Sequence, residues 1–271
     1  MPTVTVGDIN LYYEDEGRGE VLALISGITC SARYWFRQIP VFSKEYRVIA
    51  IDNRGTGRSD KPEIPYTADM MAADIAGLLD AIGVGTAHVF GHSMGGMIAQ
   101  HVALDYPDKV QSLILGATTC GGRDRVHGVL VEDFQKFMDP DFLATMSPQE
   151  ILHAALIFKF TQEFIDNNPA LIERHCAEKM SYPPAPYVGA VQIPAAIGHD
   201  TCDRLHEIRV PTLVMTGDAD GLVAPENSRV LAARLPNAEL VILHNVAHSF
   251  PIEVAEETNK IVLDFLRKHS Y

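Results

Sequence analysis

Cysteine and positive charge are both scarce in this chain of 271 residues. Its four cysteines, Cys30, Cys120, Cys176 and Cys202, stand far apart, with neither the paired spacing of a zinc site nor the clustering of a disulfide framework. That scatter predicts free thiols and a cytoplasmic setting. Lys and Arg number 22 against 35 Asp and Glu, a net charge of −13, so neither nucleic acid nor an anionic membrane is expected as a partner. A neutral small molecule fits that balance better. No apolar run approaches the roughly 20 residues that cross a bilayer, and no basic segment followed by an apolar one opens the chain as a secretory signal would. The H-E-x-x-H, G-x-x-x-x-G-K-[ST] and G-x-G-x-x-G patterns are missing as well, so no metal, nucleotide or other cofactor is expected. Repeats and low-complexity tracts are absent too, which leaves no linker to a second independent domain.

What is present alternates. Thr3-Val4-Thr5-Val6 and Ile9 to Tyr13 flank Gly7-Asp8 and read as a hairpin. Short apolar runs follow at Val21 to Ile25, Val48 to Ile51, Ala87 to Phe90 and Leu113 to Leu115, then late in the chain at Thr212 to Met215 and Leu240 to Leu243. Such runs mark strands buried on both faces. Between them lie helical patterns, one opening at Thr67 as a cap and another closing the chain from Ala255 to Lys268. Strand and helix in alternation predict an α/β fold with a mainly parallel sheet covered on both sides.

From about Arg123 to Leu205 no strand is expected, and helices are predicted over Val131 to Met138, Pro148 to Phe160 and Gln162 to Met180. We read 123–205 as a helical cap inserted into a core of 1–122 and 206–271, placed over the carboxyl edge of the sheet where open α/β folds bind ligands. Its Phe134, Phe137, Met138, Phe142, Met146, Phe158, Phe160 and Phe164 could line an apolar pocket, and Phe137, Met146 and Phe158 are the preferred candidates. For any one of them, packing within the cap's own helices is the commoner role.

Gly91-His92-Ser93-Met94-Gly95 sits between an apolar run and a helical pattern. A sharp strand-to-helix turn there would lift the Ser93 hydroxyl off the sheet and aim nearby backbone amides at the same point. The pattern alone arises by chance with a probability of roughly 0.1 in a chain this long, so its flanks carry the information. A serine nucleophile needs a base and an acid that orients it, in the chain order Ser, Asp, His. Thr216-Gly217-Asp218-Ala219-Asp220 follows one late strand and His244-Asn245-Val246-Ala247-His248 follows the next. We favour Asp220 and His248, which lie deeper in their loops, and assign Asp218 to turn amides and His244 to a structural role, the choice of Asp220 over Asp218 resting mainly on the family resemblance given below. The oxyanion of a tetrahedral intermediate requires fixed donors, and the amides of Met94 and Ile28, the latter in the turn Ser26-Gly27-Ile28-Thr29, are the candidates. Asp52 to Asp60 reads as a rigid turn.

Taken together, Ser26-Gly27-Ile28, Trp35, Asp52 to Asp60 with Lys61-Pro62, the elbow Gly91 to Gly96, Gly217 to Asp220 and His248 resemble the α/β hydrolase superfamily. The resemblance is to its small esterases and lactonases, including the oxoadipate enol-lactonases. It implies a mostly parallel eight-stranded sheet flanked by helices, an inserted helical cap, and Ser93, Asp220 and His248 as nucleophile, acid and base. Trp35 joins the candidate substrate-binding residues. The family's usual His-Gly is Ser26-Gly27 here, so the bracing of the oxyanion loop is expected to differ. A serine at the elbow, where haloalkane dehalogenases and epoxide hydrolases carry aspartate, argues against both. The expected function is hydrolysis of a small ester or lactone, an acyl-homoserine lactone or enol-lactone being examples. The rivals are carbon–carbon bond hydrolysis or perhydrolysis with the same triad, or a ligand receptor on a hydrolase scaffold. The oligomeric state is not legible.

Overall fold

The computed structural model describes residues 2–270, apart from the Pro140 side chain. Eight strands form one sheet in the order β1-β2-β4-β3-β5-β6-β7-β8. The hairpin expected at the start is β1 (Thr3–Val6) and β2 (Ile9–Glu16), antiparallel to each other, with β2 antiparallel to β4 (Arg47–Ile51). The remaining neighbours are parallel: β3 (Val21–Ile25), β5 (Ala87–His92), β6 (Val110–Gly116), β7 (Thr212–Gly217) and β8 (Ala238–Leu243). The sheet is therefore mostly parallel and two-sided. In β3 the alternation is direct, since Val21, Ala23 and Ile25 join one apolar cluster while Leu22 and Leu24 join the other.

Helices cover both faces. In the first half they are α1 (Ile39–Phe42), α2 (Ala68–Ala81), capped by Thr67 through the Met70 amide, and α3 (Met94–Asp105). Between β6 and β7 the described residues form α4 (Val131–Phe137), α5 (Pro140–Leu143), α6 (Pro148–Ala154), α7 (Gln162–Asn167), α8 (Pro169–Ser181) and α9 (Val188–Gly198), with no strand of the sheet among them. The stretch expected as one helix from Gln162 is broken at Asn168, because Pro169 lacks the N–H that would continue α7. The chain returns through α10 (Glu226–Arg234) and closes with α11 (Phe250–Glu253) and α12 (Ala255–Lys268).

One expectation is overturned. Cys120 and Cys202 pair as a disulfide with a Cα separation of 5.0 Å, so only Cys30 and Cys176 are free thiols. Cys120 lies four residues past the end of β6 and Cys202 ten residues before the start of β7, and 82 residues of sequence conceal their closeness. The covalent pair removes the thiol argument on which a cytoplasmic setting rested. Among the described residues no helix is long and apolar enough to cross a membrane, and no cluster of three metal-ligating side chains occurs.

Candidate active site

Every candidate group lies past the carboxyl end of a parallel strand. Ser93 joins β5 to α3 with φ 58 and ψ −124, a backbone conformation that L residues avoid and that holds its side chain at a fixed angle. The flanking glycines make the turn sterically admissible. A Cβ on Gly91 would stand 2.2 Å from the Gly95 carbonyl oxygen, and one on Gly95 would stand 2.1 Å from that of Ile25. Larger residues at either position would push α3 off the sheet.

His248 follows β8 and Asp220 follows β7, two neighbouring strands. The imidazole Nδ1 lies 2.7 Å from Asp220 Oδ2, and both side chains are almost wholly buried. Asp220 is itself fixed, because its other oxygen accepts the amides of Leu222 and Val223 at 2.9 Å each. With Nδ1 engaged, Nε2 is the ring nitrogen left for a further partner, and among the described residues no hydrogen bond occupies it.

The loop bearing His248 is pinned at three consecutive residues. The Ala247 amide donates to Glu253 Oε2 at 3.0 Å, the His248 carbonyl accepts from His92 Nε2 at 2.8 Å, and the Ser249 amide donates to the Lys159 carbonyl at 2.7 Å. The acceptor being a carbonyl, His92 must carry its proton on Nε2. Burial, helped by the neighbouring His248, holds its pKa well below the usual imidazole range, which keeps it in that neutral form. Tyr34 stacks on the His92 ring at 5.0 Å.

Ile28 and Met94 share a cavity wall with Ser93. Among the described residues neither backbone amide has a hydrogen-bond partner, so both N–H groups are available to an acceptor in the cavity. The turn carrying Ile28 is braced differently from a His-Gly loop. Ser26 Oγ donates to the Cys30 carbonyl at 2.9 Å and Asn53 Nδ2 donates to the Ser26 carbonyl at 3.0 Å. A second brace comes from α9 and α8: Gln192 Oε1 accepts the Thr29 amide at 2.7 Å, and Lys179 Nζ donates to Thr29 Oγ1 at 2.9 Å. Thr29 has φ 57, so these bonds hold a backbone turn that would otherwise relax.

The cavity has a volume of about 150 Å³. Its walls overturn the four candidate substrate contacts. Trp35 is fully buried in the core against Phe90 and Tyr34. Phe137 and Phe158 pack on each other at 5.4 Å, and Met146 is half-buried after α5; none of the four lines the cavity. Val131, Phe134, Gln135 and Met138 line it instead. Spaced by three, four and seven, they share one side of α4, and Phe137 lies about 100° round the helix from Met138. The opposite wall comes from Ile193, Ala196 and Ile197 of α9, a helix absent from the sequence reading because Pro194 and the preceding prolines mask it.

The fold and the matched sequence define a class. Residues 20–254 match the family described as the alpha/beta hydrolase fold, and the chain belongs to that family. Among curated relatives it is 33% identical over 265 residues, covering 98% of both chains, to a protein named putative carbamate hydrolase RutD of Azorhizobium caulinodans. Among solved structures it resembles the enol-lactonase of Burkholderia xenovorans LB400, with TM-score 0.87 and 26% identity over 98% of this chain and 100% of that one. A thermophilic esterase of Thermogutta terrifontis superposes with TM-score 0.84 at 28% identity and full coverage of both.

Proposed function

We propose that the protein hydrolyses carboxylic esters or lactones by acyl transfer to Ser93. The Ser93 oxygen attacks the substrate carbonyl carbon while His248 Nε2 accepts its proton, and Asp220 steadies the imidazolium that forms. The carbonyl oxygen becomes an oxyanion received by the Ile28 and Met94 amides. Collapse of the intermediate expels the alkoxide, which takes the proton from His248 and leaves an acyl-Ser93 ester. Water, deprotonated by His248, then attacks that ester; the acid departs and Ser93 regains its proton. In a lactone the alkoxide stays tethered, so one ring-opened product leaves. The helices between β6 and β7 act as a cap, residues 123–205 inserted in a core of 1–122 and 206–271, whose apolar walls receive the acyl part. No cofactor takes part in any step.

The observation that carries the proposal is the pair of unpartnered amides, Ile28 and Met94, flanking a serine held in a strained turn. The relatives support it in kind: carbamates, enol-lactones and esters all present an acyl carbon to a nucleophile. The test is turnover of para-nitrophenyl esters and of lactones matched in chain length, with fluorophosphonate labelling followed by mass spectrometry. Turnover and labelling at Ser93 are expected, both abolished in Ser93→Ala. Tight ligand binding without turnover or labelling would contradict the proposal and favour a receptor on this scaffold.

A further inference from the structure

Among the described residues, one cation lining the cavity forms no ion pair. In the run Arg123-Asp124-Arg125 the first two charges are paired, Arg123 with Asp203 at 3.1 Å and Asp124 with Arg234. Arg125 makes no ion pair among the described residues, although it lines the same cavity as Ser93. One nitrogen, Nη2, donates to the Ala196 carbonyl of α9, while Nε is buried without a partner. The acid whose field reaches it, Asp200, spends one carboxylate oxygen on the Cys202 amide and forms no ion pair with it. Arg54, almost wholly buried where Arg125 is half-buried, is clasped by both oxygens of Asp74 at 2.5 and 2.7 Å. With 35 acidic residues in the chain, carboxylates are plentiful, yet among the described residues none forms an ion pair with Arg125.

Withdrawing a guanidinium from water without a partner is costly, and burial drives its pKa down accordingly. The other polar wall groups do not answer it. Asn227 Oδ1 already accepts from Thr119 Oγ1 at 2.8 Å and from the Val126 amide at 2.9 Å. A planar fork offering parallel N–H groups matches a carboxylate, and one fixed positive charge balances one negative charge rather than a phosphate dianion. The walls between are apolar, fitted to methylenes.

We propose that the substrate bears a carboxylate on its acyl part and that Arg125 binds it, so that the enzyme prefers half-esters of dicarboxylic acids, or lactones with a carboxylate arm, to their neutral analogues. The assignment rests on the ester and lactone reading above and revises the neutral ligand that the composition suggested. Arg125 is then a specificity-determining residue.

The experiment uses para-nitrophenyl half-esters of dicarboxylic acids from succinate through suberate, each beside its methyl-capped neutral counterpart. At the best chain length the native protein is expected to favour the acid at least tenfold in kcat/KM. Arg125→Met should erase that ratio, and Arg125→Lys should retain part of it. No acid preference at any length, or one that persists in Arg125→Met, overturns the proposal. An independent readout is calorimetric binding of methyl half-esters to Ser93→Ala, expected to weaken at least tenfold when Arg125→Met is added. Unchanged binding there overturns it too. Absence of turnover with that binding difference intact would sink the hydrolase reading alone, whereas turnover without acid preference would sink only the role of Arg125. Circular dichroism of both Arg125 variants, with Arg125→Lys as the conservative one, separates lost selectivity from lost fold.

Discussion

Two aspartate–histidine pairs bridge the ends of β7 and β8, and they are chemically alike. Asp218 meets His244 and Asp220 meets His248, each through Nδ1 at 2.7 Å. Their surroundings differ. The outer pair is exposed, the His244 side chain at 82% and Asp218 at 38%, whereas the inner pair stands at 7% and zero. In water an ion pair is screened and its side chains wander; in a dry site the same contact fixes a tautomer and a direction. The outer carboxylate also accepts the Asn245 amide, and Asn245 has φ 55, so that pair works as a loop clamp. Distance between acid and imidazole thus says nothing about role. Burial is what separates the two pairs.

The sharpest way to break the comparison is to remove each imidazole. His248→Ala is expected to lower kcat on an activated ester by about 10⁵ to 10⁶-fold, as loss of a triad base does, whereas His244→Ala should change it less than about twofold. Asp220→Asn should cost about 10⁴-fold through the wrong tautomer, and Asp218→Asn almost nothing. Comparable losses at the inner and outer positions, measured by initial rates, would refute the distinction.

Much of this was readable in the chain because the informative residues follow strands, and strands announce themselves as short apolar runs. Six of the eight strands, the elbow turn and the order of the loops at Ser93, Asp220 and His248 come from that signal, and the first two strands from alternation about Gly7-Asp8. The expectation that Asp218 would hold the amides of its own turn fits Asp220 instead, which accepts those of Leu222 and Val223, while Asp218 meets His244 and Asn245 of the β8 loop. Less legible was anything set by packing across long separations. Gln192 braces Thr29 across 163 residues, and nothing near either one marks the contact. On α4 the candidates Phe134 and Met138 do line the cavity, whereas Phe137, favoured over them, lies about 100° round the helix from Met138 and does not. Cys120 and Cys202 share the fate of Gln192, brought together only by the chain's return to the sheet.

The inner pair depends on supports the outer pair lacks, and removing them should move it part of the way outward. His92→Phe deletes the donor to the His248 carbonyl while keeping a ring against Tyr34. We expect kcat to fall about tenfold to a hundredfold, the cost of a buried carbonyl left unpaired and a base set slightly astray. Gln192→Ala frees the Thr29 amide and slackens the turn bearing Ile28. A loss of about tenfold in kcat with little change in KM is expected, since the oxyanion exists only along the reaction path. A change confined to KM would instead make Gln192 a substrate contact.

Acid should expose the difference between buried and exposed imidazoles in stability as well. Burial holds His92 and His175 well below the usual range, and it carries His199, with help from His101, down to about 3. These groups stay neutral in the fold, while in the unfolded chain they take up protons below about pH 6.5. The unfolded state binds more protons there, so the stabilisation present above pH 6.5 is lost progressively as the pH falls towards the folded values. Thermal unfolding should show a Tm that is level from pH 8 to 7 and declines below about 6.5. A Tm unchanged down to pH 5.5 would mean that protonation is accommodated in the folded protein.

The smallest effect belongs to the outer pair. Desolvation pushes the Asp218 carboxyl up, but the bonds from His244 and the Asn245 amide outweigh it and leave the pKa below the ordinary carboxylate value. A lowered acid stabilises the fold above its unfolded pKa, near 3.9, and that contribution disappears as the pH falls through the folded value. Asp218→Asn should therefore cost stability at pH 7, and below about pH 3 the native protein and the variant should converge. Being exposed, the pair is worth only about 0.2–1 kcal/mol, a shift of a degree or two in a chain of this size. Calorimetry at pH 7 can read that shift. A loss several times larger would place Asp218 among the groups that hold the β7–β8 loops in register, and the outer pair would then share in building the site.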